Sequence, residues 1–320
     1  MKAIVVKSFG APETMQIMDI QQPEIKKGEL LIKVEAAGVN PVDTYIRNGI
    51  YPVLPELPYT PGMDAAGTVV ELGEGSTRFS KGDRVYYAGR QFGTYAEYVA
   101  APEDRVFPLP ANISFSQGAS VGVPAAAAWR ALFHRGHARP SESVLIHGAS
   151  GAAGLTAVQL ANAAGLTVYG TGSTEKGRSL IVECGAVKAF DHGAGDYIEA
   201  IKKECTETGL DLIIEMLANV NLEKDLELLA PRGRVIIVGS RGRIEIDPRA
   251  TMGKETDIRG MSLFNADMKE MQEIHSALIG AMKTGSFQPV ISAELPLKDA
   301  PKAHEQVLNP GNCGNIVLCP

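Results

Sequence analysis

The sequence predicts an α/β protein of two domains: a β-rich domain built from residues 1–124, and a doubly wound parallel-sheet domain over 125–284. Three observations carry this. The chain has 320 residues, more than one ordinary core holds. Up to residue 124 it reads as short β-like runs broken by turn residues. Beyond that point apolar strands alternate with helical stretches, the pattern of βαβ units around a parallel sheet.

The elements follow in order. "MKAIVVKSFGAPE" reads as a strand and a turn rather than a signal peptide, because lysine, glycine and proline break it early. "LLIKVEAAGVN", "AGTVVELGEG" and "GDRVYYAG" are β-like, and Pro41, Pro52, Pro55, Pro58 and Pro61 exclude long helices among them. "PAAAAWRALFHRG" opens the second domain as a helix. Strands are expected at "SVLIHG", "TVYGTG", "AVKAFD", "LDLIIEM", "RVIIVGS" and "IRGMSLF", with helices near 152–164, 175–184, 196–206 and 221–230. Their apolar centres suit strands covered on both faces and joined by right-handed crossovers. A long helix over 267–284 comes next, then "FQPVISAELPL", a helix near 298–308 and a last strand "GNIVLCP". This tail has the texture of the first domain, so 285–320 is expected to return and complete it.

Composition narrows the function classes. Net charge is −6 and aromatics are 6%, a poor match to a protein that grips nucleic acid. No apolar run approaches the ~18 residues of a membrane span. Cys184, Cys205, Cys313 and Cys319 form no C-x-x-C pair. Neither a disulfide framework nor a structural zinc site is expected, and reduced thiols point to a cytoplasmic setting.

The stretch "VLIHGASGAAGLTAVQLA", 144–161, carries the chemistry. A strand, a tight small-residue turn and a helix make a phosphate cradle, since helix N-terminal amides attract anions only if the backbone can come close. "ASGAAG" matches the dinucleotide fingerprint with Ala149 in the first glycine's place; Gly151 admits the diphosphate and Gly154 lets the helix sit against the strand. The alternative is a turn that only packs a helix on a sheet. After the next strand, in "YGTGSTEKGR", Thr171, Gly172 and Ser173 stand where an NAD site carries an acid, with Lys176 and Arg178 just beyond. Missing negative charge beside cations favours a 2′-phosphate, hence NADPH, although these cations also read as a solvated helix face.

Taken together, "GVNPVDTYIRNG", "LPYTPGMDAAG", "KGDRV", "YAEY", "ESVLIHGASG", "IIEMLANVNLEKDL", "GRVIIVGSRGRIEIDPR" and "LFNADMKEM" resemble the zinc-free quinone oxidoreductases of the medium-chain dehydrogenase/reductase superfamily, in their ζ-crystallin branch. The resemblance implies a GroES-like substrate domain and a Rossmann NADPH domain, with the site in the cleft between them. By position it places coenzyme contacts at Tyr45, Ser150, Gly151, Ala152, Ala153, Ser173, His192 and Asn221. Further contacts fall at Val238, Gly239, Ser240, Arg241, Met261, Ser262 and Leu263. Zinc enzymes of the superfamily need a thiolate ligand in the first domain; here Asn40 stands near that place, "PGMDAAG" lacks the histidine–glutamate pair, and no cysteine precedes Cys184. No metal is expected.

An electron-poor quinone accepts hydride without a strong Lewis acid, so the protein's task is to position two rings and offer donors to the quinone oxygen. Asn40 and Tyr45 are the candidate donors; Asn40 also reads as a turn former before Pro41, and Tyr45 as a core aromatic. Tyr51, Tyr59 and Arg47 are candidates for the mouth of the cleft. The resemblance also allows one-electron transfer giving a semiquinone. Read alone, Asn221 is an N-cap, His192 a polar strand end, and Arg241 a salt-bridge partner. The rival functions are an NADPH-dependent enone or alkenal reductase on the same scaffold, and an RNA-binding or structural role. Relatives imply a dimer or tetramer, with an edge strand near "RVIIVGS…IRGMSLF" as the joining surface.

Overall fold

The computed structural model describes residues 1–205 and 208–320. The chain forms two compact units, Met1–Pro124 with His275–Pro320, and Ala125–Ile274.

The first unit is β-rich. Lys2–Val6 pairs antiparallel with Met15–Asp19. A seven-stranded sheet runs in the order Ile291–Pro296, Asn315–Cys319, Glu29–Val39, Asp64–Leu72, Arg84–Ala88, Val106–Pro108, with Tyr98–Pro102 also on Glu29–Val39. Only the first pair of that order is parallel. The returning segment begins at His275, inside the helix Met268–Thr284, rather than at 285. The reason is local: the His275 ring stacks on Phe107 at 4.0 Å, and its Nδ1 lies 3.0 Å from the Tyr86 hydroxyl, both in the first unit's core.

The second unit holds a six-stranded, all-parallel sheet ordered Lys188–Phe190, Thr167–Thr171, Ser143–Ile146, Leu210–Glu215, Leu229–Ile237, Asp257–Gly260. Counted along the chain this is 3-2-1-4-5-6, the doubly wound dinucleotide-binding order. Val144, Leu145, Ile146, Leu212, Ile213 and Ile214 are fully buried, as strands covered on both faces must be. Helices Ala152–Ala163, Glu175–Glu183, Tyr197–Glu204 and Ala218–Leu228 connect the strands. Residue 206, the last expected for the third of these, lies outside the described residues.

Two helices differ from expectation. "PAAAAWRALFHRG" is not one regular helix: wide π-type turns at Val121–Ala125 and Arg130–Arg135 flank a single α-turn, Ala126–Trp129. Pro124, which has no N–H for the ladder, lies in the first of them. The fourth connecting helix starts at Ala218, so Asn221 lies inside it and is no N-cap. All four cysteines are free thiols, and among the described residues no helix is long and apolar enough to cross a membrane.

Candidate functional site

Because all six strands of the second unit are parallel, their carboxyl ends share one edge of the sheet. Every candidate coenzyme residue of that unit lies on this edge. The 147–154 loop follows the first strand, Ser173 the second, His192 the third, Asn221 the fourth, Val238 to Arg241 the fifth, and Met261 to Leu263 the sixth. Ligands of open α/β sheets bind at this edge.

The glycine loop differs by one place from the expected phase. The residue in the left-handed region is Gly148, with φ +58°, while Ala149 is buried and donates its N–H to the Thr171 carbonyl at 2.8 Å. Gly148 therefore makes the turn that Ala149 was expected to occupy. Gly154 has a packing reason: an added Cβ would lie 2.6 Å from Ala149 Cα and 2.7 Å from the Gly148 carbonyl oxygen. Gly151 does not, because its Cβ would meet only the Gly148 oxygen at 3.6 Å and otherwise face open space. Gly151 is also the N-cap of Ala152–Ala163 and supplies no side-chain cap. The amides of Ala152, Ala153 and Gly154 have no acceptor among the described residues, which is the donor set a diphosphate needs.

Beyond the second strand, Ser173 is half-buried and Lys176 exposed, with no ion-pair partner for Lys176 among the described residues. Arg178 is already committed: its Nη1 contacts Asp191 Oδ2 at 2.8 Å and donates to the Gly172 carbonyl at 3.2 Å. Thr174, between them, caps the following helix by accepting from Gly177 N at 3.1 Å. Asn221 Nδ2 donates to Glu215 Oε1 at 3.2 Å. Arg241 is exposed, its backbone N–H donates to Asn219 Oδ1 at 2.8 Å, and among the described residues no salt bridge holds its side chain. Met261 is buried and pairs its N–H with the Ile237 carbonyl, and the Ser262 carbonyl accepts from Arg130 Nη1 at 3.0 Å.

In the first unit, Asn40 is buried and its side-chain amide donates to Asp64 Oδ2 at 2.9 Å. Its backbone N–H donates to Asp43 Oδ2, closing the N-terminus of the helix Pro41–Arg47. The expected quinone donor is thus occupied by a carboxylate, and the turn-former alternative describes its contacts better. Tyr45 rides on the same helix, half-buried, and its hydroxyl has no hydrogen-bond partner among the described residues. Two candidates for the cleft mouth are interior instead. Arg47 is 3% exposed, and burial lowers its pKa. Tyr59 is 9% exposed and packs edge-on to Phe92 at 5.5 Å. Tyr51 is half-buried, and burial raises its pKa.

Burial pushes the Asp43 and Asp64 carboxyls each up to about 7. Tyr95 donates to Asp43 Oδ2 at 3.2 Å, and His304 Nε2 stands 3.2 Å from the same hydroxyl. Burial lowers His304 to about 3, so it is neutral at physiological pH. None of these pairings is visible in sequence spacing.

Residues 26–111 match the alcohol dehydrogenase GroES-like domain family, and 152–277 the zinc-binding dehydrogenase family. The chain is 48% identical to a human quinone oxidoreductase over 99% of its own length and 97% of that protein's. It superposes on an Escherichia coli quinone oxidoreductase complexed with NADPH with a TM-score of 0.91 at 28% identity, covering both chains fully. An NAD-dependent alcohol dehydrogenase shares the fold with a TM-score of 0.93, again over both full chains, at 24% identity.

Proposed function

Since the chain belongs to the quinone oxidoreductase family of the medium-chain dehydrogenase/reductases, we propose that it reduces quinones with NADPH and without zinc. One observation carries the coenzyme assignment: three unpartnered helix amides behind a glycine whose missing Cβ leaves open space. A diphosphate fits that cradle and nothing in the protein fills it among the described residues.

The loop amides of Ala152, Ala153 and Gly154 hold the diphosphate, and Ser173 with Lys176 favours the 2′-phosphate. Arg178 assists only through Asp191 and the Gly172 carbonyl, by shaping the turn. His192, Asn221 and the segments 238–241 and 261–263 line the same sheet edge. NADPH, when bound, supplies the hydride. Tyr45 offers a hydroxyl donor to the quinone oxygen as negative charge grows there. Asn40 acts behind Tyr45, tying the start of its helix to Asp64. Independence from zinc rests on donor chemistry: the thiols of the first unit, Cys313 and Cys319, belong to its returning C-terminal segment, none stands in Met1–Pro124, and Asn40 and Met63 offer no strong ligand atom.

A cytoplasmic setting suits four free thiols. The strand Asp257–Gly260 ends the parallel sheet with one free edge and half-exposed Ile258, and it is the surface we propose for self-association.

Steady-state NADPH oxidation tests the function. Ortho-quinones should turn over with NADPH in preference to NADH, and a chelator should leave the rate unchanged. Turnover of enones but not quinones would assign the alternative reductase; loss of all activity with chelator would refute the zinc-free proposal.

A further inference from the structure

His147, Glu215 and Asp225 form a cluster that no assignment above uses. His147 follows the first strand of the parallel sheet and Glu215 ends the fourth, its neighbour. The sheet order reverses between these strands, so the cluster lies at its switch point, directly behind the glycine loop. Asp225 comes from the helix Ala218–Leu228. His147 Nε2 stands 2.8 Å from Asp225 Oδ1 and 3.6 Å from Glu215 Oε2, with all three side chains buried. Glu215 Oε2 and Asp225 Oδ2 have no hydrogen-bond partner among the described residues. Two buried, ionised carboxylates beside one imidazole would leave net negative charge in an apolar interior. One proton shared between the two carboxyls satisfies both orphan oxygens, and an imidazolium balances the remaining charge.

From this centre, bonds run outward to candidate coenzyme contacts on both sides. Thr171 Oγ1 accepts from Gly148 N at 3.1 Å and lies 3.5 Å from His147 Nδ1 and 3.3 Å from His192 Nδ1. A protonated His147 donates from Nδ1 and fills the second acceptor position of the threonine hydroxyl. The hydroxyl then donates to His192 Nδ1, which leaves His192 neutral with its proton on Nε2. On the other side Glu215 Oε1 accepts from Leu217 N and from Asn221 Nδ2, and the Glu215 carbonyl accepts from Val238 N at 2.9 Å and Gly239 N at 3.2 Å.

We propose that His147, Asp225 and Glu215 are positioning residues, a neutral proton-sharing triad that sets His192 as an Nε2–H donor and holds Asn221 and the Val238–Gly239 turn for the coenzyme. The proposal rests on the coenzyme site of the preceding subsection. Directions of titration agree with it. Burial raises Glu215. Burial works against charge on His147, but Asp225 and then Glu215 outweigh it and raise its pKa. Burial first, then His147, lowers His192. The other charged or titratable neighbours are Lys224, which opposes the imidazolium, Asp191 and Arg178, which flank His192, and Tyr197, which faces both carboxyls from its own helix. Raising the pH removes the shared proton, leaves a buried negative charge, and loosens both arms of the network. Coenzyme affinity therefore falls on the alkaline side.

Two measurements test this. Nitrogen-15 NMR of the six histidines reads tautomers directly and needs no coenzyme. His147 should carry protons on both nitrogens near neutral pH, and His192 should be neutral with its proton on Nε2; a neutral His147 overturns the triad. NADPH fluorescence titrations across alkaline pH then compare the parent, Glu215→Gln and Glu215→Ala. Glutamine supplies a permanent N–H to Asp225 while its oxygen still accepts from Leu217 and Asn221. The parent should lose about tenfold in affinity per pH unit once the shared proton leaves. Glu215→Gln should restore neutral-pH binding and flatten that decline, while Glu215→Ala binds about tenfold more weakly throughout. A glutamine variant with the parent's profile, or an alanine variant that binds as the parent does, overturns the proposal. If the parent binds no NADPH at any pH, the coenzyme site itself is wrong, and the histidine tautomers alone decide the triad.

Discussion

Replacing Asp64 with asparagine should make the β-rich unit more stable, and by an amount that grows with pH. Asp64 opens the strand Asp64–Leu72 and is fully buried. Its Oδ2 accepts from Asn40 Nδ2 and from Val123 N, both at 2.9 Å, while Oδ1 has no partner among the described residues. Burial raises the carboxyl from 3.8 to about 7; the Val123 and Asn40 bonds oppose this, and Asp43 adds to it. The folded state therefore keeps its proton longer than the unfolded chain. The associated stability is complete below the unfolded pKa of 3.8 and drains away as pH climbs through about 7. At about 1.4 kcal/mol per unit, the whole interval amounts to ~4 kcal/mol, of which about 2–3 kcal/mol is lost between pH 5 and pH 8. Asparagine mimics the protonated acid: its oxygen accepts the same two bonds and it never ionises. Urea midpoints followed by circular dichroism at the two pH values give the comparison. The stability of the variant minus that of the parent should increase by about 2 kcal/mol from the lower pH to the higher. Asp43 titrates over the same range in both proteins, and the difference between them carries the repulsion between Asp43 and Asp64 that the variant removes. A difference that stays constant with pH, or that shrinks, would refute the account of Asp64 as a buried acid.

The two inner glycines of the loop should fail differently when replaced by valine. Gly151→Val should fold with a parental Tm yet lose about 100-fold in NADPH affinity, because its side chain occupies the diphosphate's space. Gly154→Val drives a side chain into the backbone of Gly148 and Ala149 and should cost about 3 kcal/mol in urea unfolding. Lys176→Glu should reduce the preference for NADPH over NADH about tenfold, read from the two dissociation constants. Arg234→Ala removes a buried guanidinium that binds Glu142 at 2.6 Å and the carbonyls of Gly136, His137 and Asp211, and should destabilise the parallel-sheet unit by about 3–5 kcal/mol in calorimetry.

The parallel sheet was legible because each strand is a short apolar run ending in turn residues, and two-faced burial demands such runs. Its carboxyl-edge loops then follow from topology, which is why residues as far apart as Gly151 and Leu263 fall on one edge. Phase and partners were not legible. Ala149 and Gly148 are adjacent small residues, and only the φ of +58° shows which one turns. The helix at Ala218 begins earlier than its apolar pattern because the Glu215 carboxylate takes the Leu217 N–H. Asn40 and Asp64 are 24 residues apart, and His147 and Asp225 are 78 apart. Their pairing depends on which strands become neighbours, which local pattern does not encode. Arg47 and Tyr59 are interior for the same reason, since polar atoms do not announce that tertiary packing will bury them. The strand Tyr98–Pro102 is not legible in the sequence because it is brief and its partner lies far back at Glu29–Val39.

The closing strand Asn315–Cys319 lies inside the seven-stranded sheet, between Ile291–Pro296 and the early strand Glu29–Val39. On the ribosome, then, the parallel-sheet unit has all its residues as soon as Ile274 has left the exit tunnel, whereas the unit whose synthesis began first still waits for Asn315–Cys319. A nascent chain halted just short of Asn315 would display the unzipped backbone of Ala37, Gly38 and Val39 to any chaperone or neighbouring polypeptide.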